Sequence, residues 1–198
     1  MAVSYTHLQM LQNLIYNDEN NLVQTTYRSQ AVNSRDIDAD GMIEIPSSQP
    51  VNKADPPTNA KEDNSVPITT WNKVKNGQLE PVFDQVISLQ YGFAFTYPTK
   101  WMDKVEAMNR VDTKEVVFYL PAKNPGGDTT ELLRLRVVTK EDKEKGDFDL
   151  AEYSLYELIY VRGQTEYTFY APVFTEEADM LLKNEEIKSL FSFVDDRK

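Results

Sequence analysis

Tyr91-Gly92-Phe93-Ala94-Phe95-Thr96-Tyr97-Pro98-Thr99-Lys100-Trp101 is the stretch that decides the fold. Aromatic side chains fall on every second residue from Tyr91 to Tyr97, which is the period of a strand with one buried face and not that of a helix. Pro98 has no amide hydrogen to give a ladder and ends the strand, with Trp101 just past the stop. Upstream, Ile68–Val74 and Leu79–Ser88 are rich in β-formers and flank Lys75-Asn76-Gly77-Gln78, and Asn-Gly in that setting predicts a hairpin. Further upstream, Leu14-Ile15-Tyr16 and Leu22-Val23 flank Asn17–Asn21 and read as strand, polar turn, strand. A short helix over Leu8–Tyr16 competes there, since Leu8, Leu11 and Ile15 share a helical face.

Downstream of Trp101, strands are expected at Lys104–Asn109, Glu115–Leu120, Leu132–Thr139, Leu155–Val161 and Tyr167–Val173. Leu133, Leu135 and Val137 alternate with Arg134 and Arg136, which predicts one dry face and one wet face. From Thr175 the pattern changes to an N-cap, acidic Glu176-Glu177 at the positive helix end, and helical spacing of Ile187, Leu190 and Phe191. The expected class is mainly β or α+β. Residues 47–67 contain Pro50, Pro56, Pro57 and Pro67 among polar residues and read as an exposed loop or linker.

Composition removes several functions. The 198 residues carry 21 Lys+Arg against 32 Asp+Glu, a net charge of −11, which opposes binding to nucleic acid or to an anionic membrane surface. Zero cysteines exclude disulfides, thiolate metal sites and a cysteine nucleophile, and a single histidine makes a Ser-His-Asp triad improbable. No apolar run reaches the ~20 residues of a membrane span. Val3-Ser4-Tyr5-Thr6-His7-Leu8 resembles the in-frame translation of a sequencing-adaptor end. Residues 1–8 are therefore expected to be an artefact at the broken edge of a metagenomic fragment, with His7 outside the functional inventory.

Chemistry concentrates in Arg35-Asp36-Ile37-Asp38-Ala39-Asp40-Gly41-Met42-Ile43-Glu44-Ile45-Pro46. Three carboxylates at alternate positions, closed by glycine, suit a hard cation, and calcium takes 6–8 oxygens at about 2.3–2.6 Å. Asp36, Asp38 and Asp40 are the first candidate ligands, Gly41 allows the sharp turn, and Met42 offers its backbone carbonyl because a thioether does not suit calcium. Glu44, at the ninth loop position, can close the site directly or through water. An EF-hand would need a bidentate glutamate where Ser47 stands, and Pro46 forbids the following helix. A loop leaving into a β-strand, Met42–Ile45, is the consistent alternative. Magnesium suits the loop less, because it keeps more of its water. Lys140–Asp149, with Asp142, Asp147 and Asp149, reads as a solvated loop because its lysines are interleaved with the acids.

Arg28, Arg35–Pro46 and Ile68-Thr69-Thr70-Trp71 resemble VCBS/FG-GAP-type repeats of bacterial surface proteins. The resemblance implies calcium bound between strands of a β-propeller blade by Asp36, Asp38, Asp40, the Met42 carbonyl and Glu44, the last replacing the family's usual aspartate. Tyr97-Pro98-Thr99-Lys100-Trp101, the strands after it and a terminal helix leading into Ser192-Phe193-Val194 are similar in layout to PsbP-like α/β sandwiches, which implies a mostly non-enzymatic domain. The expected organisation is then a VCBS-like repeat over 9–88, a blade remnant, followed by an antiparallel α+β sandwich over 89–198.

The expected function is non-enzymatic: a calcium-binding structural, adhesion or ligand-binding part of a larger secreted protein or lipoprotein of the bacterial envelope. Its partners would be calcium and a cell-wall glycan or another surface protein. Its place would be extracellular, or cytoplasmic if the N-terminus is genuine. The rival expectation is a carbohydrate-active enzyme or carbohydrate-binding module. It would use carboxylate pairs and the aromatic set Phe93, Phe95, Tyr97, Trp101, Tyr153, Tyr156, Tyr160, Tyr167, Phe169 and Tyr170.

Overall fold

A computed structural model describes residues 30–48, 64–76, 78–124, 127–145, 154–173 and 175–194. The expectations for residues 1–29, including the adaptor-like start and the strands or helix around Leu14–Val23, lie outside the described residues. So do Tyr153 and most of the linker.

Among the described residues, ten strands form two antiparallel sheets. The first sheet contains β1 (Ile45–Ser48), β2 (Ile68–Lys75), β3 (Gln78–Ser88), β4 (Phe93–Thr96) and β10 (Phe191–Phe193), in the order β1-β2-β3-β4-β10. The second contains β5 (Glu106–Arg110), β6 (Glu115–Leu120), β7 (Thr130–Thr139), β8 (Glu157–Arg162) and β9 (Thr165–Tyr170), in the order β5-β6-β7-β9-β8. Among the described residues there are also two short α-helices, α1 (Lys140–Lys145) and α2 (Asn184–Leu190). Among the described residues no helix is long and apolar enough to cross a membrane.

The main core lies between the sheets, because period-2 alternation aims one face of each at the other. Phe93 and Phe95 of β4 and Val86 of β3 meet Val116 and Phe118 of β6, Leu133 and Leu135 of β7, and Phe169 of β9. Proline does what the sequence demands at the end of β4. Pro98 starts a single 3-10 turn, Thr99–Trp101, that swings Trp101 back into the core. There its indole N–H donates to the Met180 carbonyl at 2.8 Å, and its ring meets Phe118 at 5.7 Å and Tyr97 edge-on at 5.7 Å. The β2–β3 hairpin is present, with Asn76 in the left-handed region at φ 52°.

Several expectations shift. The strand expected at Met42–Ile45 begins three residues later: Met42 and Ile43 are exposed, and β1 runs Ile45–Ser48. Pro46 is tolerated there because β1 is an edge strand, which needs no donor on its open side. The expected linker thus gives up Ser47 and Ser48 to a strand, and Val66, near its other end, is buried in the core. The outer face of β7 is not simply wet. Arg136 is buried beside Glu115 at 3.9 Å and over the Tyr156 ring, while Arg134 bonds Glu131 at 2.6 Å. Lys140–Lys145 is helical where a loop was expected. Thr139 and Asp142 cap it reciprocally, and Lys140–Glu144 and Lys145–Glu141 pair one turn apart. Phe191, placed in the terminal helix by its spacing, turns extended and begins β10, where it pairs with Phe95 and stacks on Phe93. The expected boundary between 88 and 89 falls between β3 and β4, which are hydrogen-bonded neighbours in one sheet.

Candidate metal centre

The first sheet has a second apolar face. Because side chains alternate, Trp71 of β2, Ile87 of β3 and Ala94 of β4 point away from the main core. Val32 and Ile37, from the segment preceding β1, pack on them together with Phe83 and Val194. The Arg35 guanidinium lies 5.3 Å from the centre of the Trp71 ring. The aspartate loop is therefore the polar rim of a cover laid over this outer face.

Its ends are tied. Arg35 and Glu44 form an antiparallel bridge, with Arg35 N–H donating to the Glu44 carbonyl at 3.1 Å and Glu44 N–H donating to Arg35 at 2.9 Å. Between them the chain coils tightly, with Ala39 at φ 60° and Gly41 at φ 88°. Asp36 accepts from the amides of Asp40 at 3.1 Å and Gly41 at 2.9 Å, and Asp40 accepts from Met42 N–H at 2.9 Å. The geometry accounts for glycine at position 41, where a side chain would be strained by the positive φ although the surrounding space is open.

The loop brings Asp36, Asp38 and Asp40 together so that one carboxylate oxygen of each lies within 4.8 Å of the others. That separation is compatible with all three binding one ion at calcium's ~2.3–2.6 Å. Met42 closes the turn through its amide while its side chain faces solvent, as a residue offering only backbone would. Glu44 behaves differently from the three aspartates. It is completely buried, with one oxygen accepting from Ile37 N–H at 2.9 Å. The other, Oε1, is buried without a hydrogen-bond partner, and Lys73 Nζ stands 3.8 Å from it. A buried carboxylate oxygen left in that condition is costly unless a cation meets it.

Lys73 was not among the sequence candidates. It follows Trp71 by two residues on β2 and so emerges on the same face, beneath the loop. Its ammonium donates to Asp38 Oδ2 at 2.8 Å and makes a short bond to Asp40 Oδ2. Hydrogen bonds donated to Asp38 and Asp40 hold the Lys73 ammonium well above the ordinary lysine range, and the bond from Lys73 draws the Asp40 carboxyl below the usual aspartate range. The strand period could have found Lys73, given that Trp71 faces the loop; its pairing with residues more than thirty positions away could not be seen locally.

The aromatic set proposed for a sugar platform is mostly interior. Phe93, Phe95, Tyr97, Trp101, Tyr167 and Phe169 are buried, Tyr156 and Tyr170 are half-buried, and Tyr160 is 53% exposed. The other acidic cluster to be placed is spoken for at its one described member, since Asp142 accepts from Lys114 at 2.6 Å and from Thr139 N–H at 2.8 Å. Outside both, Glu115 is buried on the far face of the second sheet among Tyr156, Thr113 and Arg110; burial and the bond to Glu115 push the Tyr156 phenol up to about 12. Comparisons with protein-family models, curated proteins and solved structures found no match to this chain.

Proposed function

We propose that residues 35–44 form a calcium site that clamps the cover onto the first sheet, and that the chain serves as a calcium-stabilised structural or ligand-binding part of an extracellular protein. The observation that carries this reading is the gathering of the Asp36, Asp38 and Asp40 carboxylates within 4.8 Å of one another in one tight loop; Glu44 is not part of that trio, and its buried Oε1 lies 3.8 Å from Lys73 Nζ. Asp36, Asp38, Asp40 and Glu44 would supply carboxylate oxygens, and Met42 its carbonyl. The ion would neutralise charges whose repulsion otherwise opens the loop, and it would tie the cover, β1 and β2 into one unit.

The strand succession β1-β2-β3-β4, in chain order, is also the succession within a propeller blade, and this supports the resemblance to VCBS/FG-GAP repeats. Here the second sheet packs on the face that a neighbouring blade would cover. A site outside cells would meet millimolar calcium, enough to fill weak extracellular modules with Kd on the order of 10⁻⁴–10⁻³ M. Thermal melts in calcium and in chelator test the reading. Calcium is expected to raise the melting temperature of the natural chain and to do far less for Asp38→Ala. Equal melting temperatures for the natural chain in both buffers would sink it.

A further inference from the structure

Lys73 occupies the position from which a cation would serve this site. Its ammonium bonds Asp38 and Asp40 and is the cation 3.8 Å from the otherwise unbonded Glu44 Oε1. These are three of the four carboxylates assigned to calcium. An oxygen bonded to calcium at ~2.3–2.6 Å cannot keep a close ammonium on the same lone pairs, and two cations a few ångströms apart repel.

We infer that Lys73 is a built-in competitor for the calcium site, a tethered cation that holds the loop closed at low calcium and must swing away for the metal to enter. The inference rests on the calcium reading and adds its regulation: affinity is set by the exchange of one side-chain charge for a divalent ion. The site is more than an acidic cluster because Glu44 Oε1 is wholly buried, lacks a hydrogen bond and faces the point where Lys73 sits. The route out is short, since Lys73 is only half-buried on β2 and its side chain reaches the loop from the sheet side. If Lys73 fills the site in all but one molecule in ten to a hundred, apparent calcium affinity is weakened about 10–100-fold.

The test compares calorimetric calcium titrations and melts in chelator for the natural chain, Lys73→Met, Lys73→Gln and a matched control, Lys75→Met. Lys75 lies on the same strand but pairs with Glu80 at 3.3 Å, away from the loop. Lys73→Met is expected to bind calcium at least tenfold tighter than Lys75→Met, to melt lower than the natural chain in chelator, and to regain that loss in calcium. Affinities equal for Lys73→Met and Lys75→Met would overturn the competition and leave the calcium site standing. No calcium heat in any of the four chains would overturn both. Failure of both Lys73 variants to fold even in 10 mM calcium would also overturn it, because the metal would then be unable to replace the ammonium.

Discussion

Glu44→Gln tests whether Glu44 takes part in the proposed calcium site. Glutamine has nearly the same shape, and its amide oxygen can keep the 2.9 Å bond from Ile37 N–H. That leaves its NH₂ group, not an anionic oxygen, facing the point where Lys73 Nζ stands 3.8 Å from Glu44 Oε1. Without calcium two effects oppose each other: a buried charge disappears, and so does its attraction to Lys73. The net change is expected to be small. With calcium the balance differs. At 10 mM calcium and a Kd of about 10⁻³–10⁻⁴ M, binding stabilises the fold by roughly 1.4–2.7 kcal/mol. For a chain of this size that is a rise of about 3–11 °C. If Glu44 is a fourth carboxylate ligand, removing it is expected to weaken binding about tenfold, which lowers the calcium stabilisation by about 1 kcal/mol, or roughly 2–4 °C. Scanning calorimetry of both chains, each with calcium and with chelator, measures the difference of differences. If Glu44→Gln kept the full calcium response, Glu44 would not be a ligand, and its burial would need another explanation.

Two other predictions concern the framework. Burial would raise the Asp142 carboxyl, but hydrogen bonds from Lys114 and Thr139 hold it down to about 2. A folded-state value below the ordinary ~3.9 of an unfolded aspartate gives stability that is complete above about pH 4 and is lost as pH falls toward 2. Urea unfolding at a series of pH values should therefore show Asp142→Asn less stable by about 1 kcal/mol at neutral pH, a figure discounted for solvent screening, with the difference shrinking as pH falls below about 4 and vanishing only below about 2. Trp101→Phe should cost about 2–3 kcal/mol in the same assay, because it opens space in a fully buried site and leaves the Met180 carbonyl without its 2.8 Å donor.

What could be read in the sequence was what is local in it. Period-2 alternation at Phe93 and Phe95, and again at Leu133 and Leu135, placed the inner faces of both sheets, because a one-residue slip would have exposed every one of those side chains. The clustering of Asp36, Asp38 and Asp40 was legible because they lie within five residues of one another. Three things were not. The three-residue β10 is too short to show a period, and the spacing of Ile187, Leu190 and Phe191 imitated a helix one residue past its end. Arg136 looked solvated because alternation says which face a residue is on, but not that Glu115 and Tyr156 wait there to bury it. Lys73 was hidden because its importance arises only when β2 is brought under a loop from another part of the chain.

The placement of the metal centre follows from how weakly its cover is held by other means. Opposite the main core, the outer face of the first sheet presents Trp71, Ile87 and Ala94, and leaving them wet would forfeit much of that sheet's apolar burial. The cover offers them little in return, chiefly Val32 and Ile37, and it must order a coiled loop with two residues at positive φ to do so. Apolar contact is thus poorly matched to conformational cost on this face, in contrast to the aromatic packing between the sheets. A polar clamp at the rim would close the gap, and a cation suits it because Asp36, Asp38 and Asp40 crowd together there, with Lys73 already paired to two of them. Under the calcium proposal, Lys73 and calcium would be two solutions to that one requirement, differing in charge and in tether. On the proposed reading, the choice between them would tie the order of residues 35–44 to the calcium level around the protein, whereas the main core, which contains none of these groups, should be indifferent to it.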